Sequence, residues 1–581
     1  VAARKADFYV IAEKFHVDPV VARIIRNRAV IGEKNIRIYL GGNLSDLSDP
    51  HQMKDMDRLV EILAQKIRKQ AHIRIIGDYD VDGVTSSHLF LTALRRVGAK
   101  VDVVIPHRIQ DGYGLSLHLL QQAKEDGVDT ILTCDNGIAA IDEIAWAKAQ
   151  KMTVLVTDHH AVPFEEHEGR RTEKKSLADA VVNPHQQDCG YPYKELCGAG
   201  VAWNVIRVLY ENYDMDKREA EDLLDFVAMA TVCDVMSLTG ENRILVKEGL
   251  KRIRHTKNIG LQALMQACNV QPENISAYHF GYVLGPCVNA TGRLDTARHA
   301  LRLFETGQET EAEEIARDLV DLNQERKELT LQGVEMAKKL CEEGGYEKDP
   351  ILVLFLPDVH ESIAGLIAGR IREMYNRPVF VLTRGEEGVK GSGRSTENYS
   401  MYENMCGCAE LFTKFGGHPM AAGLSLPEEN VEKFRRKINE NCPLTVEEVC
   451  PDIHIDMAMP VGYASTELVH QFALLEPFGK DNPSPLFADR NLSISRMWVI
   501  GKNRNVLRMS VLSEYGQPVP VIFFGDVETL FAYFTEKFGQ EEVENALHGR
   551  KNRILFSMVY TAKIDFYQGN ENLQLEMKYY R

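Results

Sequence analysis

The chain has 581 residues, 44% of them hydrophobic, with a formal net charge of −16 and eleven cysteines. That length suits about three to four domains, and an odd, scattered cysteine set excludes a disulfide scaffold; Cys406-Gly407-Cys408, the only close pair, reads as reduced cytosolic thiols rather than zinc ligands. No apolar run reaches the ~18 residues of a membrane span and the N-terminus has no apolar signal core, so a soluble, cytoplasmic protein without membrane contact is expected; the acidity argues against a nucleic-acid binder, unless divalent cations cancel part of it and basic patches are local.

In chain order, residues 1–70 read as a mixed helical segment, with Asp46-Leu47-Ser48-Asp49-Pro50 as a turn. A βα rhythm follows. Strands are predicted at Ile73–Ile76, Val101–Ile105, Thr130–Cys134 and Thr153–Thr157, with helices at Ser86–Arg96, Leu115–Asp126 and Ala140–Gln150. Strands alternating with helices of this length predict a parallel sheet covered on both faces. Glu165–Ser176 is charged and aperiodic, and is expected to be a loop; Val201–Leu264 reads as mostly helical. Ile315, Leu319, Leu322, Leu329, Met336 and Leu340 form an apolar stripe that predicts one long helix over Thr310–Cys341. A second α/β unit has strands Ile351–Phe355 and Pro378–Leu382 around a helix Ile363–Tyr375. After about Asp452 five strands are expected, Leu492–Ile500, Val506–Val511, Pro518–Phe524, Arg553–Val559 and Leu573–Tyr579, which suits an OB-fold barrel. The expected fold class is therefore α/β. It comprises an N-terminal segment (1–70), a parallel-sheet domain (71–300), a connecting helix (301–345), a second α/β domain (346–450) and a C-terminal OB-fold β-barrel (451–581).

Three strands of the first sheet run into metal-seeking residues. The first leads to Asp78, Asp80 and Asp82, the second to Asp135-Asn136-Gly137, the third to Asp158-His159-His160. Ligands of an open parallel sheet bind beyond the carboxyl ends of its strands, so these tips should converge. In an extended segment, residues two apart share a face, which would point Asp78, Asp80 and Asp82 together. Crowded carboxylates repel unless cations relieve them, and no Lys or Arg is interleaved. A mixed Asp/His set favours Mn²⁺, with Mg²⁺ the alternative. Two ions ~3.5–4 Å apart would clamp a phosphoryl centre, with Asp135 as the bridging carboxylate. A lone Asp after a strand is more simply a helix cap; three such tips are not. Asp234, an acid in the apolar run Ala230–Met236, is a further ligand candidate.

These motifs resemble the DHH phosphoesterase superfamily, and most closely its single-strand-specific exonuclease branch. Asp78-Tyr79-Asp80-Val81-Asp82-Gly83, Cys134-Asp135-Asn136-Gly137, Thr157-Asp158-His159-His160 and Cys233-Asp234-Val235-Met236-Ser237-Leu238 with Glu241-Asn242-Arg243 are similar to its four motifs. Phe415–Gly423 resembles the glycine-histidine motif of the associated DHHA1-type domain, and Glu476-Pro477-Phe478-Gly479 the entry to its OB-fold. The resemblance implies that Asp80, Asp82, Asp135, His159 and Asp234 bind two metal ions and that Asp78 is an accessory acid. It implies that His160 faces the scissile phosphate and Asp158 orients the histidines. It further implies 5′-to-3′ hydrolysis of single-stranded DNA in repair and recombination. Gly285–Arg293, carrying Asn289 and Arg293, departs from its usual motif by placing Cys287 where the superfamily has an arginine, which puts one phosphate contact in doubt. Cys233 and Ser237 replace the usual Ala and Pro. The chain stops soon after the barrel, so no further C-terminal domain is expected.

Several residues could hold a strand. Arg108 and Tyr113 follow the second strand. His360 and Arg370 belong to the second α/β unit, whose loop Lys390-Gly391-Ser392-Gly393-Arg394-Ser395 could hold a phosphate, a tight glycine turn with a solvated Arg being the plainer reading. Gly417 and His418 suit a second phosphate site. In the barrel, Lys502, Arg504 and Arg508 near Trp498, with Phe523, Phe524 and Tyr567, could form a basic, stacking groove, although core packing explains Phe523 and Phe524 as well. The leading expectation is a monomeric 5′ exonuclease whose partners are single-stranded DNA, a RecQ-type helicase and a single-strand-binding protein. The alternatives are a short-oligoribonucleotide or small-phosphoester hydrolase, and a non-catalytic replication scaffold.

Overall fold

The structure, a computed structural model, describes residues 7–581 except 109–110, 113, 168–169, 386–387, 445–451, 502–503 and 568. Among the described residues no helix is long and apolar enough to cross a membrane. The first sheet is fully parallel, in the order Lys100–Val104, His72–Ile76, Thr130–Cys134, Thr153–Thr157, Ala180–Val182. Alternate strand residues enter two separate cores. Ile75, Leu132 and Leu155 pack with the helices Val81–Arg96, Gly198–Asn212 and Leu224–Cys233. Ile76, Ile131, Val154 and Val156 pack with Leu119, Leu120, Ile144 and Ala147 on the opposite face. Strand order reverses between His72–Ile76 and Thr130–Cys134, so the crevice at their carboxyl ends is the topological switch point.

The long helix runs from Glu309 to Gly344 and carries the chain to a five-stranded sheet ordered Lys414–His418, Ala421–Leu426, Gly388–Arg394, Val379–Gly385, Leu352–Phe355. The third sheet closes into a barrel. Phe487–Ile500 pairs with both Val506–Leu512 and Leu555–Tyr567, and Pro518–Phe524 pairs in parallel with Asn570–Tyr580. Two helices absent from the sequence reading, Val527–Phe538 and Gln540–Leu547, are inserted before its last hairpin.

Three local expectations are corrected. Within the presumed loop 165–176, Phe164–His167 and Arg170–Glu173 pair as a two-stranded antiparallel ribbon. Lys390–Arg394 is not a loop but part of strand Gly388–Arg394. Its glycines lie on the crowded face: a Cβ at Gly391 would meet Leu382 at 2.3 Å, and one at Gly393 would meet Met401 at 2.5 Å. Strand alternation then puts Lys390, Ser392 and Arg394 on the other face. The Asp78–Asp82 run is not extended either, because helix Val81–Arg96 begins inside it with Asp80 as its N-cap.

The N-terminal helices Pro19–Asn27 and Glu33–Gly41 share the barrel's core, whereas Met56–Arg68 joins that of the first sheet. Arg243 ties these parts together. It is 1% exposed and donates to the carbonyls of Tyr39 (2.9 Å), Leu475 (2.9 Å) and Leu474 (2.8 Å), with its guanidinium 3.9 Å from the Tyr39 ring centroid. Truncation deprives the buried Tyr39 carbonyl of this donor, at about 1–3 kcal/mol, whereas Leu475 O keeps Asn482 Nδ2 at 2.8 Å and Leu474 is 38% exposed. Arg243→Met should therefore destabilise the protein by about 1–3 kcal/mol. Urea denaturation followed by fluorescence should show a lower midpoint, and an unchanged midpoint would remove Arg243 as the tie.

Candidate metal centre and phosphate cleft

The switch-point crevice collects the acidic tips. Asp78 follows the first strand, and Asp80 caps helix Val81–Arg96 by accepting from Gly83 N at 3.0 Å. Asp82 sits in that helix's first turn. Turn and cap geometry, rather than strand alternation, places Asp78 and Asp80 in one ligand group and Asp82 in another. Asp135 follows Cys134 with φ +61°, a left-handed conformation unusual for a residue other than glycine. Asn136 fixes this turn by donating to Ile76 O (3.0 Å) and Cys134 O (2.9 Å), joining the two central strand ends. Asp234 is the C-cap of helix Leu224–Cys233.

Three overlapping groups result: Asp78, Asp80 and Asp135; Asp82, His159 and Asp234; and Asp135, His159 and His160, each with potential ligand atoms within 4.8 Å of one another. His159 Nε2 lies 3.1 Å from Asp135, 3.6 Å from Asp82 and 3.6 Å from Asp234, yet makes no hydrogen bond there. Asp78 Oδ1 is likewise buried without a hydrogen-bond partner among the described residues. Burial, then repulsion from neighbouring carboxylates, raises the pKa of Asp78, Asp80, Asp135 and Asp234. A lone pair aimed into a shared space, several carboxylates and one imidazole fit divalent cations better than any internal pairing.

Asp158 stands just behind. It accepts from the backbone of Ile138 (2.8 Å), His159 (2.7 Å) and His160 (3.1 Å), and from His160 Nδ1 (2.8 Å). Burial opposes its ionisation, but the bond and charge of His160 hold its pKa below the usual value. For His160, burial works against the proton, yet Asp158 prevails and lifts it to about 9. In the metal-free protein Asp158 thus favours the protonated His160 ring, whose Nδ1 it bonds.

The side-chain pattern gave no sign of Gly198 and Ala199. Their backbone N–H groups donate to the two Asp82 oxygens at 2.6 and 2.7 Å from the first turn of helix Gly198–Asn212. A carboxylate at a helix N-terminus is favoured by the dipole and free N–H groups. The available signal was the small-residue stretch Cys197-Gly198-Ala199-Gly200 before a helical run.

Beside the metal-type centre a cleft of 420 Å³ opens between the first and second sheets, lined by Tyr79, Arg108, Ser362, Lys390, Ser392 and Gly416 among others. The Arg108 guanidinium lies 4.8 Å from the Tyr79 ring centroid. Arg293 donates to Ser362 O at 2.8 Å, and His360 caps the turn that presents Ser362 (Nδ1 to Oγ 2.7 Å). Burial, and then the charges of Arg108, Arg326 and Arg394, lower Arg293 to about 9. Burial, and then Arg108 and Arg372, lower Arg394. Half-buried like charges this close to one another suit an anion. Asn289 accepts from Val81 N at 3.2 Å, so it supports the metal loop instead of facing the cleft.

Other candidates lie elsewhere. Arg370 is exposed and paired with Glu373 at 3.4 Å. Gly417 and His418 are exposed at a strand end outside the cleft lining. Tyr113 and Lys502 fall outside the described residues. Phe523 is core, but Phe524 is 56% exposed. Cys287, expected to mark a missing phosphate contact, is buried and faces the long helix, accepting from Asn323 Nδ2 at 3.4 Å.

The sequence matches the DHH family N-terminal domain over residues 72–231, the DHHA1 domain over 348–442 and the RecJ OB domain over 455–579. It is 33% identical over 511 residues to the single-stranded-DNA-specific exonuclease RecJ of Bacillus subtilis, covering 87% of this chain and 63% of that one. With the Haemophilus influenzae protein of the same name it is 32% identical, covering 97% and 96%. The Mn²⁺ complex of RecJ from Thermus thermophilus superposes with a TM-score of 0.77 at 25% identity, over 99% of this chain and 77% of that one. A manganese-bound exonuclease RecJ gives 0.59 at 31%, over 68% and 96%. With its carboxylate–histidine centre at the switch point and its likeness to these relatives along almost its whole length, the chain belongs to the RecJ family of DHH phosphoesterases.

Proposed function

We propose that this chain is a metal-dependent exonuclease that degrades single-stranded DNA from its 5′ end. The observation that carries the reading is the adjacency of a carboxylate–histidine centre to a cleft lined by Arg108, Lys390 and Ser392, with the half-buried Arg293 and Arg394 nearby, which suits hydrolysis next to a strand's terminal phosphate. Asp80, Asp82, Asp135, His159 and Asp234 would hold two Mn²⁺ or Mg²⁺ ions, with Asp78 as an accessory acid. Such a pair supplies Lewis acidity and lowers the pKa of an attacking water. Gly198 and Ala199 fix the Asp82 carboxylate through their N–H groups. Asp158 orients His160 through Nδ1, which leaves its Nε2 to face a phosphate oxygen. Arg108, Arg293 and Arg394, with Ser392, hold the terminal phosphate. A helicase that opens duplex ends and a single-strand-binding protein would supply the strand to a monomeric enzyme.

The test uses strands labelled at either end, alongside duplex and short RNA. With Mn²⁺, a 5′ label should be released at once as a mononucleotide, while a 3′-labelled strand shortens progressively and blunt duplex resists. Release of the 3′ label first, or digestion confined to RNA of a few nucleotides, would overturn the reading.

Metal should also stabilise the fold, in a pH-dependent way. The cluster carboxylates have raised folded-state pKa values, so their stabilising protons are present at low pH and lost as pH rises from about 4 through those values. Cations compete for the same deprotonated oxygens. At ~100-fold excess over Kd, binding contributes about 2.7 kcal/mol. Mn²⁺ should raise the melting temperature clearly at pH 8 and little at pH 5; equal shifts at both would contradict this linkage.

A further inference from the structure

Two tyrosines stand exposed where the chain has no evident use for them. The helix Ala277–His279 runs into a π-helical turn, Phe280–Leu284, before helix Gly285–Leu294. Wide turns of this kind are frequent at functional sites. The turn leaves Tyr278 and Tyr282 on one face, 62% and 71% exposed, with their rings stacked at a centroid distance of 5.0 Å and an interplanar angle of 24°.

They line a groove of 820 Å³ between the first-sheet domain and the segment leading into the barrel. Its floor is the end of the helix that bears Asp234. There Val235 is 61% exposed and held at φ +55°, a conformation costly for a β-branched residue. Lys251, Arg254 and Lys480 also line the groove. Lys480 O accepts from Leu238 N at 2.9 Å, four residues beyond Asp234, which ties this wall to the metal-type centre. Aromatic faces flanked by cations, continuous with a phosphodiester-cleaving centre, match the chemistry of an unpaired strand: bases stack and phosphates meet charge.

We propose that Tyr278 and Tyr282 are a stacking platform for bases on the 3′ side of the scissile phosphate, with Lys251, Arg254 and Lys480 meeting the strand's phosphates. This rests on the nuclease reading above. Within a duplex the faces of each base are covered by its neighbours, so the platform also favours single strands.

The test compares wild type with Tyr278→Ala/Tyr282→Ala and Tyr278→Phe/Tyr282→Phe on single strands with Mn²⁺. The alanine pair should raise KM about tenfold, the factor of one lost base stack, with kcat within about twofold; the phenylalanine pair should behave as wild type. Abasic sites scanned along the strand should cost wild type a similar factor at the contacted positions and cost the alanine pair nothing further. An alanine pair with unchanged KM, or a phenylalanine pair equally impaired, would overturn the platform while leaving the nuclease intact. A wild-type enzyme that cuts no single-stranded DNA would overturn both.

Discussion

Asp135→Asn should lower kcat on single-stranded DNA by at least about 10³-fold while leaving the fold intact. Asp135 is shared by two of the three ligand groups, one with Asp78 and Asp80, the other with His159 and His160. Asparagine keeps the shape and removes the charge. It also tolerates the left-handed backbone at φ +61°, so the turn at Asn136 should persist. Stabilisation of a phosphoryl transition state by metal is worth several kcal/mol, and about 4 kcal/mol is a thousandfold in rate. A second signature separates lost ligation from misfolding. Asp135 has its pKa raised by burial and then by Asp82, Asp80 and Asp234, so its ionisation destabilises the metal-free protein as pH rises. The variant without metal should therefore melt higher than metal-free wild type at pH 8, and the Mn²⁺-induced shift should shrink. Wild-type turnover in the variant, checked by release of a 5′-labelled mononucleotide, would remove Asp135 from the centre.

What the sequence reveals is what side chains encode by type and period. The apolar runs before Asp78, Asp135 and Asp158 are strands at almost the expected residues, because parallel strands buried on both faces need continuous apolar stretches. Their tips converge because the topology requires it. The geometry inside the first tip was read wrongly: Asp80 and Asp82 are presented by a helix start, and a cap competes with extension for the same Asp-rich residues. Gly391 and Gly393 made Lys390–Arg394 look like a loop, whereas there the missing side chains let a strand pass Leu382 and Met401 closely. Cys287 takes a motif position where the sequence put a phosphate contact in doubt, and in the fold its thiol packs against Asn323. Tyr278 and Tyr282 are matched to no core and follow no strand, and the π turn that displays them has no sequence period of its own.

The backbone donors to Asp82 were the least legible part of the site, and they lead to the second large effect. Gly198→Ala should cut kcat by about 10²- to 10³-fold without removing a single ligand. A Cβ at this position would lie 2.6 Å from Asp135 Cβ, 2.9 Å from its Oδ1 and 3.0 Å from its Cα. Neither side can yield easily. Gly198 is fixed by its N–H bond to Asp82 at 2.6 Å and by the start of its helix. Asp135 is held in its turn by Asn136 between two strands. The added methyl must therefore push Asp135 out of register with His159, or lift the helix start from Asp82. A displacement of ~1 Å at reacting groups costs about 10²-fold, and weakening the support of Asp82 adds to that. The expected pattern is a large fall in kcat with KM for single strands nearly unchanged, since the arginine cleft and the tyrosine groove lie on other elements. Mn²⁺ titration by calorimetry should show weaker binding. Gly200→Ala is the control: its Cβ would meet Leu196 no closer than 3.4 Å, an ordinary contact, and its kcat should stay within about threefold of wild type. If both variants were equally active, the close approach of Gly198 to Asp135 would not be what sets the ligand geometry.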